Sequence, residues 1–301
     1  MRLPTVLRWA LRLLILLLVV GVLVRPGWGT TTTQARLSDL EVLVAVDRTR
    51  SMAALDHPDG PRRIDGVRHD LRALAEELPG SRFAMVTFGG DVVRTAMPFS
   101  TDLTAFTALV DTVPLEGPFY GAGSMVDTPL QEITSRLEQA EQQHPGRKRI
   151  LVFVTDGENT KKDAGEQASF APLAGLVDGG VVMAYGTEEG GEIPVGDDDN
   201  DDVIVTEDGP AISRLDRANV ERIAEQAGLQ VDYRSEDPSS LSDLAESFGA
   251  DYTDGADTTT AEREMTWVLG LLLLAAVLVE LLLAARTLIH VRAGRRPQEG
   301  R

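Results

Sequence analysis

The chain has 301 residues, 43% of them hydrophobic, with 47 acidic against 29 basic side chains and a formal net charge of −18 at pH 7. That length holds one large domain or two small ones, and so acidic a surface argues against a nucleic-acid binder, whose partner's phosphates need basic patches. No cysteine is present, which rules out disulfides and thiolate metal sites.

The first element is apolar. Leu13 to Val24 is uncharged and follows Arg2, Arg8 and Arg12. It fits the core of a cleavable signal peptide as well as a short membrane span. Val24-Arg25-Pro26-Gly27 offers no small-x-small cleavage site nearby. An uncleaved anchor over residues 9–25 is favoured, with Arg8 and Arg12 snorkelling so that Trp9 and Ala10 join the span. Residues 1–8 then form a cytoplasmic N-terminus and 26–39, including Gly29 to Gln34, a polar linker.

From residue 40 to 250, strand and helix patterns alternate as expected of a doubly wound, mostly parallel α/β sheet covered on both faces. Glu41 to Asp47 reads as a buried strand. Arg63 to Leu78 places Ile64, Val67, Leu71, Leu74 and Leu78 on one helical face. Pro79-Gly80 turns into a strand over Ser81 to Gly90, and Asp91 to Phe99 is expected as its antiparallel neighbour. Helices follow at Asp102 to Val113 and Ser124 to Gln143, with Ser124 and Asp127 in the latter's first turn. Strands at Arg149 to Thr155 and Val181 to Gly186, a helix at Val220 to Ala227, a strand at Leu229 to Tyr233 and a helix at Leu241 to Phe248 complete the domain. No internal repeat is present.

The run Gly196 to Asp202, GDDDNDD, invites a calcium-loop reading. An EF-hand starting at Asp197 needs glycine at its sixth position and glutamate at its twelfth, yet those places hold Asp202 and Asp208. A solvated loop tip is expected instead. Residues 251–264, with Thr258 to Thr260, read as a second polar linker. Met265 to Ala285 is interrupted only by Glu280, and since about 20 apolar residues cross a bilayer, residues 265–286 are expected to span it, with 287–301 a basic tail.

Charge sets the orientation. Residues 26–264 carry 45 of the 47 acidic residues but 20 of the 29 basic ones, and the remaining arginines flank the apolar segments. Positive flanks stay inside, so a membrane protein with both termini cytoplasmic and the acidic domain outside is expected. Glu280 and Arg12 lie at similar depth in their helices. Either they pair, since ionisable groups in a membrane seek partners, or each snorkels or, for Glu280, stays protonated.

Three loops carry the candidate chemistry. EVLVAVDRTRSM, Glu41 to Met52, runs a strand into Asp47 with hydroxyls at Thr49 and Ser51. One carboxylate and two neutral oxygens on a tight loop suit a hard divalent cation, although Ser or Thr there also suits the cap of a following helix. GAGSMVDTPL, Gly121 to Leu130, delivers Ser124, and RILVFVTDGENT, Arg149 to Thr160, ends its strand in Asp156. Loops at the carboxyl ends of neighbouring strands converge on one crevice, so five oxygen side chains could meet there.

Strand-D-x-T-x-S-M, then G-x-G-S, then strand-T-D-G resembles a von Willebrand factor type A domain, of Rossmann-like fold. The resemblance implies a metal-ion-dependent adhesion site with Asp47, Thr49, Ser51, Ser124 and Asp156 as ligands of Mg²⁺ or Mn²⁺. Thr49 stands where the family usually has Ser, and Ser124 where it usually has Thr; both keep the oxygen donor. SRFAMVTFGGDV with Met97 to Asp102, and GTEEGGEIPV with ISRLDRANVERIAEQAG, narrow the resemblance to Bat-type, aerotolerance-associated membrane proteins. It implies an acidic hairpin insertion near 187–215 and paired N- and C-terminal transmembrane helices. It also implies a non-enzymatic module that binds a carboxylate of a protein partner through the metal, often alongside other such membrane proteins and a MoxR-type AAA+ ATPase.

Arg48, Arg50, Arg62, Arg63, Lys161 and Lys162 would either rim that site and steer an acidic partner or be scattered solvated charge. Two rival functions remain. A strand ending in Asp also suggests aspartyl phosphoryl transfer, but the second Asp of that chemistry is replaced by Thr49. Of the four histidines, His57 alone falls near the expected metal edge, as an ordinary loop residue. The third reading is a structural membrane-assembly subunit with a vestigial metal site.

Overall fold

A computed structural model describes residues 5–24, 27–58, 62–90, 92–118, 123–196, 202–207, 209–264 and 266–293. The chain begins with α1 (Thr5–Val24), β1 (Gly27–Ser38), β2 (Leu40–Asp47), a 3-10 turn at Arg50–Ala53, α2 (Arg63–Glu77), β3 (Arg82–Phe88) and β4 (Val93–Ser100). It continues with α3 (Leu103–Asp111), α4 (Leu130–Gln143), β5 (Lys148–Thr155), a 3-10 turn at Ala171–Gly175 and β6 (Gly179–Ala184). Four two-residue strands follow, β7 (Gly191–Glu192), β8 (Val205–Thr206), β9 (Gly209–Pro210) and β10 (Ile212–Ser213). Last come α5 (Arg217–Ala227), β11 (Gln230–Tyr233), α6 (Leu241–Ser247), β12 (Tyr252–Glu264) and α7 (Thr266–Ala293).

The main sheet has six strands in the order β11-β6-β5-β2-β3-β4. Neighbours run parallel except β4, which is antiparallel to β3 as the Gly89-Gly90 connection predicts. Strand alternation sends successive side chains to opposite faces. Val42, Val44 and Val46 join Ile150, Val152, Val154 and the apolar faces of α2, α3 and α6 on one side. Leu43 and Ala45 join Leu151, Phe153 and the faces of α4 and α5 on the other. Both faces being covered, the central strands are apolar throughout, as buried parallel strands are.

Strand order reverses at β2, whose neighbours are β3 and β5. Asp47 ends one strand and Thr155 the other, and the register sets Val46 against Val154. The crevice beyond a reversal point is where ligands of such sheets bind.

Two expected boundaries shift. The helix expected from Ser124 begins at Leu130, because Pro129 precedes it and residues 126–129 form turns; a residue before proline is pushed out of the helical region. The helix expected from Val220 starts at Arg217, where the Asp216 side chain accepts the Asn219 N–H. Within residues 187–215, β8 pairs antiparallel with β9 and β7 antiparallel with β10. Most of the acidic run, residues 197–201, lies outside the described residues.

The chain divides into two compact units, residues 36–254 and a second made of 1–35 with 255–301. In the second, the polar segments expected as linkers contain β1 and β12, which pair. Trp267–Arg286 of α7 is long and apolar enough to cross a membrane, with mean hydropathy 2.8. The apolar part of α1, Trp9–Leu23, is shorter than such a span. Arg12 Nε donates to Glu280 Oε1 at 2.9 Å, so of the two alternatives for these residues the pair is the one that forms.

Candidate metal centre

β2 ends at Asp47 because the next residues leave the sheet in a tight loop. Its Oδ1 accepts the Thr49 N–H at 2.9 Å and the Thr49 hydroxyl at 2.6 Å. The Thr49 hydroxyl lies 2.9 Å from that of Ser51. Thr49 precedes the Arg50–Ala53 turn but makes no side-chain cap. The hydroxyl therefore serves the Asp47 carboxylate rather than the helix end. Thr155, the last residue of β5, donates to Asp47 Oδ2 at 3.0 Å. Asp47 and Asp156 are buried, at 4% and 1% exposure.

Asp156 is held from its own loop and from elsewhere. Its Oδ1 accepts the Glu158 N–H at 3.0 Å. Gly157 has φ +77, and a Cβ there would meet Asp216 O at 2.9 Å and Val220 Cγ2 at 2.8 Å, so the loop needs glycine at this place. Asp156 Oδ2 accepts Arg63 Nη1 at 2.9 Å.

Ser124 is half-buried and joins the Asp156 loop, not the Asp47 loop. Its N–H donates to Thr160 Oγ1 at 3.0 Å, its own hydroxyl lies 3.3 Å from that oxygen, and its carbonyl accepts from Thr160 and Lys161. The geometry thus brings Asp47, Thr49 and Ser51 into one hydrogen-bonded group and sets Asp156 within electrostatic reach of Asp47. Ser124 is placed on the adjoining loop.

Burial, followed by the charge of Asp156, pushes the Asp47 carboxyl up from its usual 3.8 to about 7, against the pull of its Thr49 and Thr155 hydrogen bonds. Burial, then Asp156, also pushes Glu158 up. A buried carboxylate whose partners are hydroxyls and an amide is an anion that a bound cation would stabilise. The donors are oxygen throughout, which fits a hard divalent ion. Among the described residues, no group of three or more His, Asp and Glu could hold a metal, so a centre here depends on its hydroxyls.

The expected basic rim is mostly engaged in the fold. Arg63 is fully buried. Its Nε and Nη2 grip Asp56 at 2.7 and 2.8 Å, Nη2 also donates to Ser213 O at 2.9 Å, and Nη1 reaches Ser213 Oγ at 2.8 Å besides Asp156. Arg50 Nη2 donates to the carbonyls of Pro194 and Gly196. Arg48 is buried 3.8 Å from Glu116, whose carboxylate also accepts the Gly90 N–H at 3.0 Å. Arg62 pairs with Asp65 at 2.9 Å. Lys162 is exposed.

His57 is a core residue, with Nδ1 3.1 Å from Ser235 Oγ and its ring 5.7 Å from that of Tyr185. The sequence places Arg63 on the rim but not as a buried partner of Asp156, and it does not mark Asp56, Ser213 or Glu116 as neighbours of the site. The Arg62-Arg63 pair before an apolar helix was visible, but its inward half was not.

A family profile described as the von Willebrand factor type A domain matches residues 42–158. The crystal structure of the conserved hypothetical protein BatB from Bacteroides thetaiotaomicron is similar, with TM-score 0.57 and 21% identity, covering 70% of this chain and 97% of that one. An aerotolerance-related membrane protein from Bacteroides fragilis is similar too, with TM-score 0.55 and 19% identity over 70% and 96% of the two chains. At such identities the likeness is one of fold. No curated protein matches the sequence.

Proposed function

We propose that this chain, whose residues 42–158 match the von Willebrand factor type A domain profile, is a membrane-anchored, non-enzymatic binding module. Asp47, Thr49, Ser51, Ser124 and Asp156 would hold Mg²⁺ or Mn²⁺, and the ion would take an Asp or Glu carboxylate from a protein partner of the cell envelope. The observation that carries this reading is the Asp47 group: a buried carboxyl pushed up to about 7, bonded to Thr49, which touches Ser51. A bound cation supplies the positive charge that makes ionised Asp47 and Asp156 compatible and attracts a third carboxylate. Thr49, Ser51 and Ser124 are neutral donors, so the two carboxylates only balance the ion's two charges and no excess negative charge repels the partner's carboxylate. The acidic domain would lie outside the cell, with α7 spanning the bilayer, α1 beside it through the Arg12 to Glu280 pair, and both arginine-flanked termini inside.

Calorimetric titration of Mg²⁺ and Mn²⁺ into the purified protein tests the reading, beside Asp47→Ala and Asp156→Ala. Saturable binding lost in both variants is expected. One observation favours the rival structural reading: Arg63 already neutralises Asp156 from within. Under that reading wild type binds no ion, and Asp47→Ala leaves the protein's cellular role intact.

A further inference from the structure

We propose that Arg63 is a built-in counter-cation that competes with the divalent ion for Asp156 and so holds the centre's affinity low, an inference that rests on the metal-binding reading above. The guanidinium is fully buried. Its five N–H groups have five oxygen acceptors at 2.7–2.9 Å: both oxygens of Asp56, Ser213 O, Ser213 Oγ and Asp156 Oδ2. The arrangement is a built socket rather than a side chain resting on a surface. Gly186, with φ +106, closes it, since a Cβ there would stand 2.5 Å from Arg63 Cζ.

Position decides the consequence. The guanidinium occupies Asp156 Oδ2 at 2.9 Å, and the Glu158 amide occupies Oδ1 at 3.0 Å. A metal ion, or a water bound to it, must therefore approach a carboxylate already paired with a guanidinium cation. Arg63 also approaches Ser51 O, at 3.5 Å, on the loop that carries Thr49 and Ser51. Two cations serving one buried carboxylate repel at short range, where screening by solvent is weak.

Asp56 has the opposite influence. It grips the guanidinium from the other side, at 2.7 and 2.8 Å, and itself accepts from Thr187 at 2.9 Å. It shares the arginine with Asp156 and so moderates the competition. Through Thr187 and Ser213 the same network fastens both ends of the hairpin insertion to the centre.

The test is calorimetric titration of Mg²⁺ into the full chain in detergent micelles, with Mg²⁺-dependent thermal stabilisation as a second readout. Arg63→Gln should bind Mg²⁺ at least about tenfold tighter than wild type and be stabilised more by it. Asp56→Asn, which keeps an acceptor for Thr187, should bind roughly threefold weaker, because Asp156 becomes the remaining carboxylate on the guanidinium. Equal or weaker binding by Arg63→Gln overturns the inference while leaving the metal reading intact. Absence of binding in both wild type and Arg63→Gln overturns both. Should Arg63→Gln fail to fold, Asp56→Asn decides alone, and unchanged or tighter binding by it overturns the inference.

Discussion

Asp47→Asn should stabilise the metal-free domain above neutral pH, although the change sits at the centre of the proposed site. The wild-type carboxyl is pushed from 3.8 to about 7, first by burial and then by Asp156. Between those values the folded chain keeps a proton that the unfolded chain has released, so stability falls as pH rises and the full penalty is reached above pH 7. Three units at about 1.4 kcal/mol each set a ceiling of about 4 kcal/mol. The amide keeps the acceptor for Thr49 N–H and Oγ1, and its NH₂ can donate to Thr155 Oγ1 in place of the bond Thr155 now gives. Weaker bonds to a neutral acceptor return part of that, leaving an expected gain of about 1–3 kcal/mol at pH 8. The assay is urea unfolding of residues 36–254, which contain both hydrophobic cores, in chelator, from pH 4 to 8. The difference between variant and wild type should vanish near pH 4, appear through pH 5–7 and level off above. Mg²⁺ at ten times its Kd should add about 1.4 kcal/mol to wild type and nothing to the variant. A variant less stable than wild type at pH 8 in chelator, or a difference independent of pH, would refute the argument.

Four further outcomes follow from the same structure. Gly186→Ala forces φ +106 on a residue with a Cβ and drives it against Arg63; a loss of about 2–4 kcal/mol is expected by urea unfolding, and a loss under about 1 would show the socket to be compliant. Phe153→Ala removes a ring 5.5 Å from those of both Phe88 and Phe170, and a loss of about 3–5 kcal/mol is expected in the same assay. For Asp70, burial alone would raise the carboxyl, but Arg234 and Tyr185 outweigh it and hold it below 3.8. Its contribution is therefore present above pH 4 and lost as pH falls further; Asp70→Asn should cost about 3 kcal/mol at pH 7 and progressively less as pH falls below 4. Arg12→Glu and Glu280→Arg should each weaken co-purification of separately expressed α1 and α7 segments, with the double exchange restoring it; failure of the exchange to do better than either single change would show that the pair is incidental.

The sheet was legible because its physics is local. Runs such as Val42 to Val46 and Ile150 to Val154 are apolar at every position, which reads as a strand covered on both faces. The Asp47, Thr49 and Ser51 group was legible for the same reason, its three oxygens lying within five residues of chain. The start of α4 was misread because Ser124 and Asp127 look like helix openers while Pro129 overrules them. What stayed hidden is long-range. Arg63 meets Asp156 across 93 residues and Ser213 across 150, and no periodicity marks such a pairing. Arg62 and Arg63 are adjacent and chemically identical, yet one pairs with Asp65 at 2.9 Å on the same helix and the other is sealed in the centre. One residue of helix turns a side chain by about 100°, enough to separate a solvated charge from a buried one. A charge count sees two neighbouring cations; the fold leaves one half-buried against Asp65 and seals the other between Asp56 and Asp156.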